Sequence, residues 1–230
     1  MELRGQRAII CAGSLCFLAL VVTVVLTGCG STTDKARVMN ASPGESAITA
    51  TIGGTSVASS LDYGTASGYV SVSSGSVTLS VEQSSTSNSI LNEKISLTSN
   101  DTYTILIANY STGVAAVTLT DNNSAPSSGQ FNLRIVQASP SLGAADVYVV
   151  SPGTSLSSVG ASVTDLSFES ASTYLPLSAG TYEIYFTPTG QKTASIDSGA
   201  LSFSSGQVRT IVGLNGSNGG YTTAVLDDLN

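Results

Sequence analysis

Tyr182-Glu183-Ile184-Tyr185-Phe186 and Gln207-Val208-Arg209-Thr210-Ile211-Val212 are short runs of β-branched and aromatic residues in partial polar/apolar alternation. A period of two places successive side chains on opposite faces, which is how a strand buries one face and wets the other. Leu133-Arg134-Ile135-Val136 and Asp146-Val147-Tyr148-Val149-Val150 read the same way. Between these runs lie Ser151-Pro152-Gly153, Ser178-Ala179-Gly180, Pro188-Thr189-Gly190 and Ser204-Ser205-Gly206. In such triplets proline presets φ and glycine supplies positive φ for a tight reversal. No stretch after Cys29 keeps an amphipathic period of 3.6 residues for three turns. Strands punctuated every ~8–14 residues predict an all-β protein built of antiparallel β-sandwiches with immunoglobulin-like architecture.

The pattern occurs twice. Arg37-Val38-Met39-Asn40-Ala41-Ser42-Pro43 returns as Arg134-Ile135-Val136-Gln137-Ala138-Ser139-Pro140, 97 positions later. Leu61-Asp62-Tyr63 answers Leu166-Ser167-Phe168, and the stretch from Tyr69 to Val77 answers that from Tyr174 to Tyr182, both at an offset of 105. Thr104-Ile105-Leu106 and Thr210-Ile211-Val212 follow at 106. Order is kept while the offset drifts, as expected for two tandem copies of one domain separated by loop insertions. Residues 122–130, with Ser124, Pro126, Ser127, Ser128 and Gly129, read as the linker.

The N-terminus reads as an address. Arg4 and Arg7 precede an almost unbroken apolar run from Ala8 to Leu26, and Leu26-Thr27-Gly28-Cys29 follows. This resembles the lipobox of bacterial lipoproteins: cleavage between Gly28 and Cys29, with lipidation on the Cys29 thiol. Acyl chains at ~0.8 kcal/mol per buried methylene would hold the mature chain to a membrane without a spanning helix. The expected plan is a signal peptide over 1–28, the lipidated cysteine and a tether over 29–35, a first sandwich over 36–121, the linker, and a second sandwich over 131–230. The expected location is the extracytoplasmic cell envelope, the outer membrane if the cell has two.

Composition excludes several chemistries. The 230 residues contain no His and no Trp, and the three Cys fall at 11, 16 and 29. Histidine relays and imidazole metal sites are therefore ruled out, as is a disulfide within the two copies. A net charge of −7 and a pI near 4.3 lack the basic field that nucleic acid requires. Forty Ser and 26 Thr make much of the polarity hydroxyl, as in sheets with one face in water.

The segments Arg134 to Pro140, Ala145 to Val149, Tyr174 to Tyr182 and Thr187 to Gly190 resemble the domain-of-unknown-function family numbered 4397 (DUF4397). The resemblance covers nearly all of residues 36–230 and is closer in the second copy. Gln137 and Asn40 stand where that family often has histidine, and Thr49 stands where the second copy has Asp146. The resemblance implies bacterial surface or secreted proteins, often with tandem copies, and no assigned activity.

Four residues are candidate ligand contacts: Tyr63, Tyr69 and Tyr221 as stacking faces for sugars, and Asp146 for a cation or a sugar hydroxyl. The plainer alternatives are core or turn-anchoring tyrosines, and an aspartate that points outward or caps the turn after Pro140. Asp121-Asn122-Asn123-Ser124 and Asp227-Asp228 carry oxygen ligands but lack the spacing of a calcium loop, so they read as a solvated turn and tail. Glu169 and Glu183 would be the carboxylates of a glycosidase if ~5–9.5 Å apart. No catalytic residue, metal or cofactor is expected. The sequence leads to a noncatalytic envelope lipoprotein with a structural, adhesive or assembly role, its partners being the membrane and an envelope protein or glycan. The alternative is a lipoprotein that binds a carbohydrate or other small molecule.

Overall fold

Burial sorts the strands into layers, alternating in some, as over Ala47–Ile52, and unbroken in others, as over Thr102–Ala108. The computed structural model describes residues 33–110 and 113–228, so the expected signal peptide over 1–28, its cleavage site at Gly28 and the lipidation site at Cys29 lie outside the described residues. Within Ser31–Asn230, which is one compact unit, the first half holds β1 (Thr33–Ala41), β2 (Ala47–Ile52), β3 (Thr55–Asp62), β4 (Val70–Ser73), β5 (Gly75–Gln83), β6 (Ser89–Leu97), β7 (Thr102–Ala108) and β8 (Ala115–Thr120). The second half holds β9 (Gln130–Gln137), β10 (Ala145–Val150), β11 (Val163–Leu166), β12 (Ser170–Ala171), β13 (Leu175–Ser178), β14 (Gly180–Pro188), β15 (Ile196–Phe203), β16 (Val208–Asn215) and β17 (Tyr221–Asp227). One 3₁₀ turn at Leu156–Ser158 is the only helical element among the described residues.

Each half pairs its strands by one scheme. In the first, the sheets run β3-β2-β5-β6 and β4-β1-β7-β8; in the second, β11-β10-β14-β15 and β12-β9-β16-β17, with β13 also on β9. Pairing is antiparallel except for β1 with β7 and β9 with β16, which are parallel. The period-two pattern does not announce this parallel pair. It is visible instead in burial, because every residue of β7 is buried, as is every residue of β1 from Arg37 to Ala41. Strands at the centre of a mixed sheet are covered on both faces. β1 also begins within the stretch read as a tether, where Thr33, Asp34 and Lys35 pair with Ser73, Val72 and Ser71.

Two cores lie inside the halves and a third lies between them. Ile48, Ala50, Ile52, Leu79 and Val81 of the outer sheet pack on Ala36, Val38, Ile105 and Ile107 of the inner one. In the second half Val147, Ile184 and Phe186 meet Phe131, Leu133, Ile135 and Ile211. The other face of each inner sheet supplies the third core: Met39, Ala41, Leu106 and Ala108 against Val136, Ala138, Val212 and Leu214. At ~1.5–3 kcal/mol per large apolar side chain removed from water, this middle layer binds the halves as a domain core would. Of the four glycines expected in turns, those at 153, 190 and 206 take positive φ, whereas Gly180 does not and instead opens β14.

Candidate functional site

The polar side chains on the inner faces converge at two places, both between the halves. At the first, each half sends an arginine from its opening strand across the interface. Arg37 Nη2 binds Asp228 Oδ1, Arg37 Nη1 donates to the Asp227 carbonyl at 2.6 Å, and Arg37 Nε donates to Thr104 Oγ1 at 2.9 Å. Arg134 repeats this from the other side. Its Nη2 binds Asp121 Oδ1 at 2.5 Å, Nη1 donates to the Thr120 carbonyl at 3.0 Å and Nε donates to Thr210 Oγ1 at 3.0 Å.

The carboxylates are equally matched. Asp121 accepts from Tyr69 Oη at 2.7 Å and from Thr104 Oγ1 at 2.8 Å. Asp228 accepts from Tyr174 Oη at 2.7 Å and Thr210 Oγ1 at 2.8 Å. Each guanidinium also lies over a tyrosine ring, Arg37 over Tyr69 at 4.6 Å and Arg134 over Tyr174 at 4.9 Å. Burial, with the nearby Asp121 charge next, pushes the Tyr69 hydroxyl well above its ordinary pKa. Burial likewise raises Tyr174, against the opposing pull of Arg134. Both hydroxyls therefore stay protonated and donating.

This arrangement corrects one expectation. Asp121 and Asp228 are buried, 6% and 3% exposed, and are not a solvated turn and tail. Each carboxylate is held by an arginine, a threonine and a tyrosine, which offsets the cost of removing it from water. Asp227 does face solvent, paired with Arg209 at 2.8 Å.

The second convergence centres on Asn215. Its Oδ1 accepts from Ser139 Oγ at 2.5 Å, and its Nδ2 donates to Ser141 Oγ at 2.8 Å and Tyr110 Oη at 2.9 Å. Its carbonyl accepts from Tyr63 Oη at 2.8 Å. Burial, with Tyr110 adding to it, raises the Tyr63 hydroxyl to about 12. Beside this hub Pro43, Tyr110, Ser141, Gly216 and Tyr221 line a cavity of about 380 Å³. A larger cleft of about 670 Å³, with Thr33, Lys35, Tyr69, Asp101 and Asp227 in its wall, opens beside the Arg37–Asp228 pair.

The four candidate contacts thus separate. Tyr63 and Tyr221 sit at the Asn215 end, with Tyr221 37% exposed, whereas Tyr69 belongs to the arginine network. Asp146 lies apart, in the outer sheet of the second half. It neither points outward nor caps the turn after Pro140: Oδ1 accepts the Asp165 N–H at 2.9 Å and Oδ2 the Gly190 N–H at 2.8 Å. The carboxylate so ties two turns together. Glu183, on the outer sheet, accepts from Tyr185 Oη at 2.6 Å and from the Gly153 N–H at 3.0 Å, which lowers its pKa. Glu169 stands in the turn before β12, beside the inner sheet, and burial raises its pKa. Gly28 and Cys29 lie outside the described residues.

Repeated pairing scheme, repeated opening strand and repeated arginine frame the comparison with known proteins. Residues 35–148 match DUF4397, a domain of unknown function. The DUF4397 match takes in nearly all of the first half and continues through β9 into β10. No curated protein matches the chain. Among solved structures, a leucine-rich repeat protein from Bacteroides thetaiotaomicron aligns with 78% of this chain at 12% identity and a TM-score of 0.21. This chain spans about a quarter of that protein's length, 25%.

Sequence reasoning paired Arg37 with Arg134, Tyr69 with Tyr174 and Thr104 with Thr210, and missed the acids that complete the set. The signal was present: Leu119-Thr120-Asp121 and Leu226-Asp227-Asp228 share Leu and Asp at an offset of 107.

Proposed function

We propose that this chain is a noncatalytic, lipid-anchored protein of the bacterial cell envelope, composed of two tandem copies of one β-sandwich domain, with a structural, adhesive or assembly role. The observation that carries this reading is the use made of the buried ionisable groups between the halves. Arg37, Arg134, Asp121 and Asp228 spend their hydrogen bonds on one another, on Thr and Tyr partners and on the Asp227 and Thr120 carbonyls, an arrangement that fixes geometry. The lipobox supports the anchor, and the matching strand pairings support the duplication. With Cys29 acylated, β1 would follow the membrane after only a few residues, since it starts at Thr33.

Cys29→Ala tests the anchor. The variant should take up no labelled palmitate and keep its leader, and normal incorporation would overturn the proposal.

A second reading, a carbohydrate-binding lipoprotein, is favoured by the cavity beside Asn215. There two tyrosines with 43% and 37% exposure, Tyr110 and Tyr221, stand next to hydroxyl and amide groups. Aromatic faces beside a few fixed polar groups suit a sugar ring. A thermal-shift screen against glycans separates the two: a saturable shift lost in Tyr221→Ala favours binding, and a flat response favours the structural role.

A further inference from the structure

The contact between the halves is reciprocal, and reciprocity has a consequence for partner choice. Arg37 reaches the acid that ends the second half and Arg134 reaches the acid that ends the first. Each inner face therefore carries one donor and one acceptor for the other face, Arg37 and Asp121 on the first half, Arg134 and Asp228 on the second. The apolar part is reciprocal too, Met39 and Leu106 on one side facing Val136 and Val212 on the other. Such a face is self-complementary in the way that the contact of a two-fold dimer is.

We propose that a second copy of this chain is a partner for this face, through exchange of halves: the first half of each chain docks on the second half of the other. Three observations support exchange. Each half has an apolar core of its own, so it can separate from its neighbour without losing its interior. The connection between them, residues 122–129, contains no strand. Every cross-half bond of the closed chain can be remade between chains, because both members of each pair stay on separate halves. The exchanged dimer keeps the same contacts and differs in the path of the linker, so chain concentration sets the balance. This goes beyond the proposed envelope role and does not depend on the lipid anchor.

The test uses two full-length chains with different epitope tags, unfolded together in urea with detergent and refolded over a range of concentrations. Capture on one tag should bring down the other, in an amount that rises with concentration. Chains refolded separately and then mixed should show little. Arg37→Asp in one chain and Asp228→Arg in the other sharpen the measurement. Each variant alone sets like charges against each other, whereas in the exchanged pair one interface regains the wild-type contact and the other a reversed one. Co-refolding of these two variants should raise co-capture several-fold over wild type and restore protease resistance that neither has alone. Should these variants fail to fold, the wild-type pair still decides. Co-capture no higher than in the separately refolded control, at every concentration, would overturn the proposal.

Discussion

Val81 in the first half and Phe186 in the second occupy equivalent places in the two outer sheets, opposite Ala50 and Val147 respectively. Facing them across the sandwich, Ile107 and Gly213 also correspond, since they pair with Asn40 and Gln137. Where the outer sheet offers a medium side chain the inner strand fills the space with isoleucine, and where it offers a phenyl ring the inner strand has none. A Cβ on Gly213 would come within 2.9 Å of Phe186 Cε1. Two different pairings thus fill one architecture, as close packing demands. The opening strands differ in the same spirit. Phe131 stacks on Phe203 with ring centroids 4.5 Å apart, while its counterpart in the first half is Asp34, 1% exposed, which accepts from the Asp101 N–H at 3.2 Å. The cores differ between the halves, whereas the arginine, threonine, tyrosine and aspartate of the interface are the same in both. Partners inside one half can vary together. A reciprocal contact must stay matched across two.

The largest test of that contrast is at the interface. Asp121→Ala and Asp228→Ala each leave a buried guanidinium without its acid, and each should cost about 3–5 kcal/mol in urea unfolding. The two losses should be of similar size, with Asp228→Ala the larger, because Asp228 also stands 3.9 Å from the Arg134 guanidinium. A wide gap between them would break the comparison. Next come the cores. Ile107→Ala opens a cavity and should cost about 2–5 kcal/mol, and Gly213→Ala, which crowds Phe186, about 1–3 kcal/mol. Phe186→Val combined with Gly213→Ile rebuilds the first half's solution in the second, and its cost should fall well below the sum of the single changes.

The smallest effect is a pH dependence. Burial raises the Tyr63 pKa from 10.0 to about 12 in the folded chain, so the folded state holds the proton more tightly than the unfolded one. The stability this confers is fully present below pH 10 and declines as pH rises from 10 toward 12. Urea midpoints measured across that window should fall more steeply for wild type than for Tyr63→Phe. Equal slopes would show that burial does not hold the Tyr63 proton in the folded chain.

Much of the fold was legible because two of its determinants are local. Alternation at Tyr182 to Phe186 and Gln207 to Val212 declares strands, and Pro188-Thr189-Gly190 declares a reversal, through steric rules that act within a few residues. The parallel pairing of β1 with β7 was not legible, since the two strands are separated by the whole outer sheet and no short pattern encodes which neighbour a strand selects. The fate of Asp121 and Asp228 was hidden for a related reason. Beside Asn122, Asn123 and Ser124, or near the chain end, an aspartate looks solvated, and only a partner 13 residues or 191 residues away shows otherwise.

Sequence alone determined the strand content, because alternation is written in neighbouring residues, and it carries the internal matches and the apolar N-terminal run on which the proposed duplication and anchor rest. Tertiary structure alone decided that the two halves share a third core and exchange their arginines. Burial on a strand's second face depends on what docks there, and a charge is paired or solvated according to groups that the fold, and not the chain order, brings beside it.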